Sequence, residues 1–300
     1  MKSVLLIFLS FITSLFHNPG QVSQVTFTVG GDAMFGRMVS QSYPGDNLYQ
    51  VLQNIHNTSF SGVNASLLNL EGPISSNPVI QDLNPTSLIF NFPPQTVSAL
   101  KYLGINGVSL ANNHTNNAGL TGLDTTRRLL QSQNIQTIGG PASADVYQIA
   151  TFSGTGLNLV VLGINTFTGT PDLAELIKQI KSAKNNRLLI FPHWGNEYSP
   201  VHTQYQQRLA HTWIDAGADL VIGSHPHVVE DSEVYKGKPI YYSLGNLVFD
   251  QNFSQETQQG LVLTGKFTTS GLYLTPLPVK ITNYQPSFVP ITPSPQFFSN

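Results

Sequence analysis

The run Asp219-Leu220-Val221-Ile222-Gly223-Ser224-His225-Pro226-His227 passes from a buried apolar segment straight into a loop that carries two imidazoles. Its unbroken apolar stretch predicts a buried strand of a parallel sheet. On a regular strand His225 and His227 would face opposite ways, because side chains alternate with a period of two. Pro226 lacks an N–H and fixes its own φ, so the strand is expected to stop before the histidines. Both rings then converge beyond the strand's C-terminal end, the edge where open α/β sheets place their ligands. Two neutral imidazoles aimed at one point suit a transition metal. A His-x-His pair is also found in ordinary loops, so the assignment depends on what other strand ends carry.

The pattern recurs along the chain. Val25 to Val29 reads as a strand, followed by a Gly30-Gly31 turn and Asp32, with Arg37 five residues on. Alone, Asp32 reads first as the cap of the next helix or turn. Ala65 to Leu70 is a second buried strand and ends in Glu71-Gly72-Pro73. Gly107 to Leu110 runs into Asn112-Asn113-His114, and Arg187 to Pro192 runs into His193-Trp194-Gly195-Asn196-Glu197-Tyr198. Lys238 to Ser243 leads into the Gly245-Asn246 turn. Helices are expected between these strands: around Leu48, Val51, Leu52 and Ile55, over Pro94–Leu103 with its proline near the start, over 119–130, and over 172–183. Thr203 and Gln206 have capping-box spacing and open a further helix to Ala216, which Gly217 stops. Residues 147–152 and 157–164 read as a hairpin, and 261–267 and 272–277 as an antiparallel pair. His17, His56, His202 and His211 fall outside the pattern and read as solvated or packing residues. Strands alternating with helices give an α/β chain.

Composition narrows the function. The 300 residues suffice for one large α/β domain or two smaller ones. Charged residues make up only 10%, against roughly 25% in an average soluble protein. The net charge of -2 gives no basic footprint for nucleic acid. With 16 acidic residues in the whole chain, a carboxylate beside a motif is less apt to be filler. There is no cysteine, which excludes disulfides and thiolate ligands and leaves any metal to His, Asp, Glu, Asn and water. Lys2 precedes a 14-residue apolar run, Ser3 to Phe16, short for a membrane span of about 20 residues and suited to a signal-peptide core of about 7–15. Export is therefore expected, with residues 1–20 either a cleaved signal or a retained anchor. Residues 75–93, rich in Pro, Asn and Ser, predict a long surface loop. The main domain is expected over 21–285, followed by a Pro- and Ser-rich tail over 286–300 without fixed structure.

Collected, the strand ends carry Asp32, Glu71, Asn113, His114, His193, His225 and His227. That set exceeds what one tetrahedral metal needs and suits two metals about 3.5–4 Å apart. An imidazole that is not a ligand, with His114 the natural candidate, could serve as general acid. Arg37 could clamp a substrate anion through its fork of donors.

The runs Gly31-Asp32-Ala33-Met34-Phe35-Gly36-Arg37, Asn69-Leu70-Glu71-Gly72-Pro73, Asn112-Asn113-His114, His193 to Tyr198, Gly223 to His227 and Tyr242-Ser243-Leu244-Gly245-Asn246 together resemble the bacterial capsule-synthesis CapA family. The resemblance implies an α/β fold of the calcineurin-like metallophosphoesterase type, a four-layer αββα sandwich. It implies a role in making, exporting or anchoring an extracellular polymer, poly-γ-glutamate or capsular polysaccharide. It also implies two divalent ions (Mn, Zn or Fe), with Asp32 and His227 on one, Asn113, His193 and His225 on the other, Glu71 between them and His114 standing off. Asn69, Glu197, Ser224 and Asn246, in the same runs, are expected behind the ligands or against substrate. The partners implied are an acidic polymer or a phosphoester, and membrane polymer-synthesis proteins. Two positions depart from the pattern: Met34 stands where the first motif usually has a histidine, and Asn117 stands where an acid usually follows the Asn-Asn-His motif. Two alternatives accompany this reading, a non-catalytic polymer-binding component of an export assembly and an exported phosphoesterase unrelated to capsule.

Overall fold

The computed structural model describes residues 22–75, 88–292 and 294–299. The expected export segment and most of the 75–93 loop lie outside the described residues. The described ends of that loop are pinned together where Ser75 N–H donates to Phe92 O (3.0 Å) and Phe92 N–H donates to Pro73 O (2.8 Å).

In chain order the elements are β1 (Gln24–Ala33), α1 (Arg37–Ser42), a 3-10 helix (Gly45–Ile55), β2 (Ala65–Leu70), α2 (Thr96–Leu103), β3 (Gly107–Ser109), α3 (Gly119–Ser132) and β4 (Gln136–Ile138). The chain continues through β5 (Ala150–Ser153), β6 (Asn158–Asn165), α4 (Ala174–Ser182), β7 (Asn186–His193), α5 (Gln204–Ala216) and β8 (Leu220–Ile222). It closes with β9 (Ser232–Tyr235), β10 (Lys238–Tyr241), β11 (Asn246–Val248), β12 (Gln259–Thr268), β13 (Gly271–Thr282), β14 (Gln285–Phe288) and β15 (Gln296–Ser299). One sheet has the order β14-β13-β12-β1-β2-β3-β4, with β11 also on β1 and β15 on β13; the other has the order β5-β6-β7-β8-β10-β9.

Three apolar clusters make four layers. Phe27, Val29 and Leu67 of the first sheet meet Leu159, Leu189 and Phe191 of the second between the sheets. Leu48, Val51, Leu52, Leu100 and Leu123 cover the outer face of the first sheet, and Ile177, Trp213 and Ile214 that of the second. The sheets are thus buried on both faces, which is why their strands read as continuous apolar runs. The α/β, αββα sandwich expected from the sequence is the fold observed. Among the described residues no helix is long and apolar enough to cross a membrane.

Local differences have physical reasons. The Gly30-Gly31 pair does not turn the chain; β1 runs through it to Ala33. A Cβ on Gly31 would lie 1.9 Å from the Gly245 carbonyl oxygen, so the glycine serves close approach of the strand that pairs Asp32 with Asn246. The helical spacing of Leu48, Val51, Leu52 and Ile55 is realised as a 3-10 helix that buries those four side chains. Thr203 and Gln206 form the expected reciprocal cap of α5. Around Asp172 the helix begins later, at Ala174, whose N–H donates to Asp172 Oδ1 at 2.9 Å. The Pro- and Ser-rich composition of the tail hides two strands, β14 and β15. β15 pairs with β13, and Phe297 sets its ring 4.8 Å from that of Tyr273. Two aromatics thus supply the contact that a composition count overlooks. His56, His202 and His211 pack flat on Tyr102, Tyr242 and Tyr235.

Candidate metal centre

β1, β2 and β3 run parallel, as do β6, β7, β8 and β10. Their C-terminal ends therefore meet at one edge of the sandwich. Asp32 ends β1, Glu71 follows β2, Asn112 to His114 follow β3, His193 ends β7, and His225 and His227 follow β8. The backbone takes left-handed conformations to aim the last two: φ is 102° at His225 and 59° at His227, with Arg37 at 44° and Tyr198 at 62° nearby. Non-glycine residues in this region are strained and tend to gather at functional sites. β8 itself stops at Ile222, and Gly223 lets the chain pass the Tyr242 carbonyl oxygen, 2.0 Å from where a Cβ would sit.

The side chains converge in overlapping groups, two of them wholly buried. Glu71, His193 and His225 each offer a ligand atom within 4.8 Å of the others, and so do Asp32, Glu71 and His227. Glu71 belongs to both groups. All five residues are buried, and Glu71 Oε1 has no hydrogen-bond partner, lying 3.4 Å from His227 Nε2.

Hydrogen bonds behind the ligands fix which ring nitrogen faces the centre. Asn246 spends its amide N–H groups on Gln251 Oε1 and Thr257 O, both at 3.0 Å, so its Oδ1 accepts from His227 Nδ1 at 3.1 Å. His227 Nε2 is left as a lone pair aimed at Glu71. Ser224 Oγ donates to Pro192 O at 3.2 Å and accepts from His193 Nδ1 at 3.1 Å, leaving His193 Nε2 a lone pair as well. That nitrogen lies 2.8 Å from Asn113 Oδ1 and 3.2 Å from His225 Nδ1. A proton there could serve only one of these two contacts, whereas a cation between the three atoms serves each of them. The donor set of imidazoles, carboxylates and one amide oxygen therefore fits a divalent transition metal.

Electrostatics agree with that fit. Burial, and then the charge of Asp32, pushes the Glu71 carboxyl well above the ordinary carboxylate range. Burial and the neighbouring His225 push His193 well down, and burial with His227 brings His225 down to about 3. A pocket that penalises both carboxylate charge and imidazolium charge is one that a cation with neutral imidazoles relieves.

Residues 26–251 match the family model described as "Bacterial capsule synthesis protein PGA_cap". The chain belongs to that family. It is 29% identical to the PGA biosynthesis protein CapA of Bacillus subtilis over 280 residues, 83% of this chain and 72% of that protein. It is 30% identical to the capsule biosynthesis protein CapA of Bacillus anthracis over 270 residues, 80% of this chain but 63% of that relative, less than two thirds of its length. A probable polyglutamine synthesis accessory protein of Mycobacterium tuberculosis is 25% identical, covering 77% of this chain and 76% of that one. Among solved structures, a phosphatase from Mycoplasma pneumoniae aligns at 12% identity with a TM-score of 0.47, covering 93% and 96% of the two chains. At that distance the likeness carries no functional weight.

Within this PGA_cap chain the remaining candidates take distinct places. Asn69 reaches Asp32 Oδ1 (2.8 Å) and Glu71 Oε2 (3.1 Å) with its amide N–H groups, holding the two carboxylates side by side. His114 is buried with Nδ1 3.1 Å from Asn117 Oδ1 and Nε2 3.2 Å from Asn113 Nδ2. Burial lowers its pKa, and the hydrogen bond to Asn117 partly offsets this. Asn117 thus orients His114 through a neutral amide, at the position where the resemblance led to an acid being expected. Glu197 is exposed at the mouth, where it groups with His225 and His227. Arg37 is buried and forked onto Asp250, with Nε donating to Oδ2 at 3.1 Å and Nη2 paired with Oδ1, and it lies over the Phe90 ring at 4.8 Å. Its charge still reaches Glu71, whose pKa it lowers against the larger upward effects.

Three contributors escape a reading of the sequence. Asp250 follows β11 as the other acids follow their strands, and the same rule applied one strand further would have found it. Asn112 donates to Asn69 Oδ1 and Leu70 O, both at 2.9 Å, and accepts from His114 N–H at 3.1 Å. Phe167 sets its ring 4.5 Å from His225, and nothing in its local sequence marks it.

Proposed function

We propose that this chain is an exported accessory of extracellular polymer synthesis that hydrolyses, or transfers, a bond of an acidic polymer of the poly-γ-glutamate type at a two-metal centre. The observation that carries the reading is the pair of ligand groups sharing Glu71. Family membership supports the polymer, since the relatives' names concern capsule, PGA and polyglutamine synthesis. The apolar run over residues 3–16 supports export.

Asp32, Glu71 and His227 would hold one ion, and Glu71, His193, His225 and Asn113 the other. Bound there, divalent ions supply Lewis acidity and lower the pKa of water. Everything else falls to the chain. Asn69 keeps Asp32 and Glu71 in register, Ser224 and Asn246 keep the two imidazole lone pairs inward, and Arg37, held by Asp250, sets its charge behind Glu71. His114 donates from Nδ1 to Asn117 and, when neutral, accepts from Asn113 Nδ2 at Nε2; a proton gained at Nε2 would displace that contact and pass to the departing group.

The test is turnover by the full chain loaded with Mn, Zn or Fe on γ-linked polyglutamate and on a simple phosphoester. We expect shortening of the polymer and a loss of about 10²–10⁴-fold in His114→Ala with metal content retained. Full metal uptake with no turnover of any such bond would overturn the hydrolase reading.

A further inference from the structure

A groove of about 590 Å³ opens off the metal centre, lined by Asn113, Leu120, Arg127, Asp145 and Phe167 among others. Two of these tie it to the chemistry. Asn113 faces His193 across 2.8 Å, and Phe167 lies against His225. Along α3, Leu120, Leu123 and Arg127 recur at helical spacing and so present one face to the groove. Leu120 and Phe167 are exposed at 77% and 50%, which leaves an apolar floor and wall open to a ligand.

At the far end stands Arg127, with the Asp145 carboxylate beside it. Arg127 Nε and Nη2 are buried and have no hydrogen-bond partner among the described residues. Leaving donors of a charged group buried and unmade is costly, and a guanidinium fork is shaped for a carboxylate or phosphate. Gly140 keeps the space beside it clear, since a Cβ there would lie 2.9 Å from Arg127 Nη2 and 2.5 Å from Asp145 Oδ2. Asp145 is engaged by the Ala142 N–H at 3.1 Å. Its charge at the same end disfavours a dianion more than a monoanion.

We propose that this groove is the subsite for a neighbouring residue of the polymer, with the Arg127 guanidinium turning out of its buried place to receive its free carboxylate and Leu120 and Phe167 covering its methylene segment. A chain held so would lead its next linkage toward Asn113 and the metals. The inference rests on the polymer reading above and adds the residue that recognises the repeating acid.

The experiment is binding of a labelled γ-linked glutamate oligomer to the full chain, followed by fluorescence anisotropy, beside the same oligomer with its free carboxylates amidated. We expect Arg127→Gln to weaken the acidic oligomer about tenfold, the scale of one charge-assisted pair, and to leave the amidated one unchanged. Arg127→Lys should fall between, since it keeps the charge and loses the fork; that variant carries the test if Arg127→Gln does not fold. Wild-type affinity in both variants overturns the subsite and leaves the polymer reading standing. Displacement of the oligomer by inorganic phosphate at lower concentration than by glutarate overturns the choice of carboxylate. Failure of the wild type to bind any acidic oligomer overturns the polymer reading itself.

Discussion

Glu71 and Glu230 are both buried carboxyls, each with one oxygen that has no hydrogen-bond partner. Burial raises the pKa of both, well up for Glu71 and to about 8 for Glu230. Their surroundings separate them. Glu71 sits among Asp32, His193, His225 and His227. Glu230 has the amide of Gln206 at 2.7 Å, and Gln206 in turn closes the capping box of α5 with Thr203. An unmade hydrogen bond is therefore not by itself the mark of a ligand site. What distinguishes Glu71 is that its bare oxygen faces other lone pairs, so only a cation or a proton relieves it, whereas Glu230 belongs to no such group among the described residues.

The largest expected effect concerns that distinction directly. Glu71→Gln should lower divalent-ion affinity by at least about 100-fold, the upper range for disturbing a ligand's surroundings, while Glu230→Gln should leave it within about twofold. Titration calorimetry in buffers of different ionisation enthalpy reads both the affinity and any protons released on binding. Equal losses in the two variants would break the comparison.

Stability gives the next effect. The Glu230 carboxyl is raised in the folded chain to about 8 from 4.5, so between those values the unfolded state binds fewer protons and stability falls as pH rises. Glu230→Gln keeps the hydrogen-bond geometry without the titration. It should be more stable than wild type at pH 8.5, by on the order of a few kcal/mol, with the advantage vanishing below pH 4.5 in urea unfolding. A gap that does not change with pH would remove Glu230 from the argument.

The smallest effect sharpens the catalytic side. If His114 acts in its charged form, turnover declines as pH rises through its depressed pKa. Asn117→Asp replaces the neutral orienting amide by a carboxylate and should move that limb upward by about one unit, with little change in metal content. An unmoved limb would mean that His114 does not carry the proton.

Much of this site is visible in the sequence because each ligand follows an apolar strand, and parallel strands must end on one edge. Asp32, Glu71, Asn113, His193, His225 and His227 are placed by that single rule. The rule runs out where position depends on tertiary approach. Gly31 reads as a turn until the Gly245 carbonyl is seen against it, and Phe167 and Arg127 belong to segments whose local pattern is that of any loop or helix. The tail reads as unstructured because proline and serine dominate its composition, while its pairing with β13 depends on where Phe297 and Phe298 fall.

The two halves of the metal pocket come from different sheets. Asp32 and Glu71 belong to the first, His193, His225 and His227 to the second, and the chain crosses between the sheets around Leu244. A cation gripped by both sets is therefore a rivet through the sandwich as well as a reagent. Its removal is expected to loosen the mouth first, because the buried Phe27–Phe191 interior holds the sheets together elsewhere.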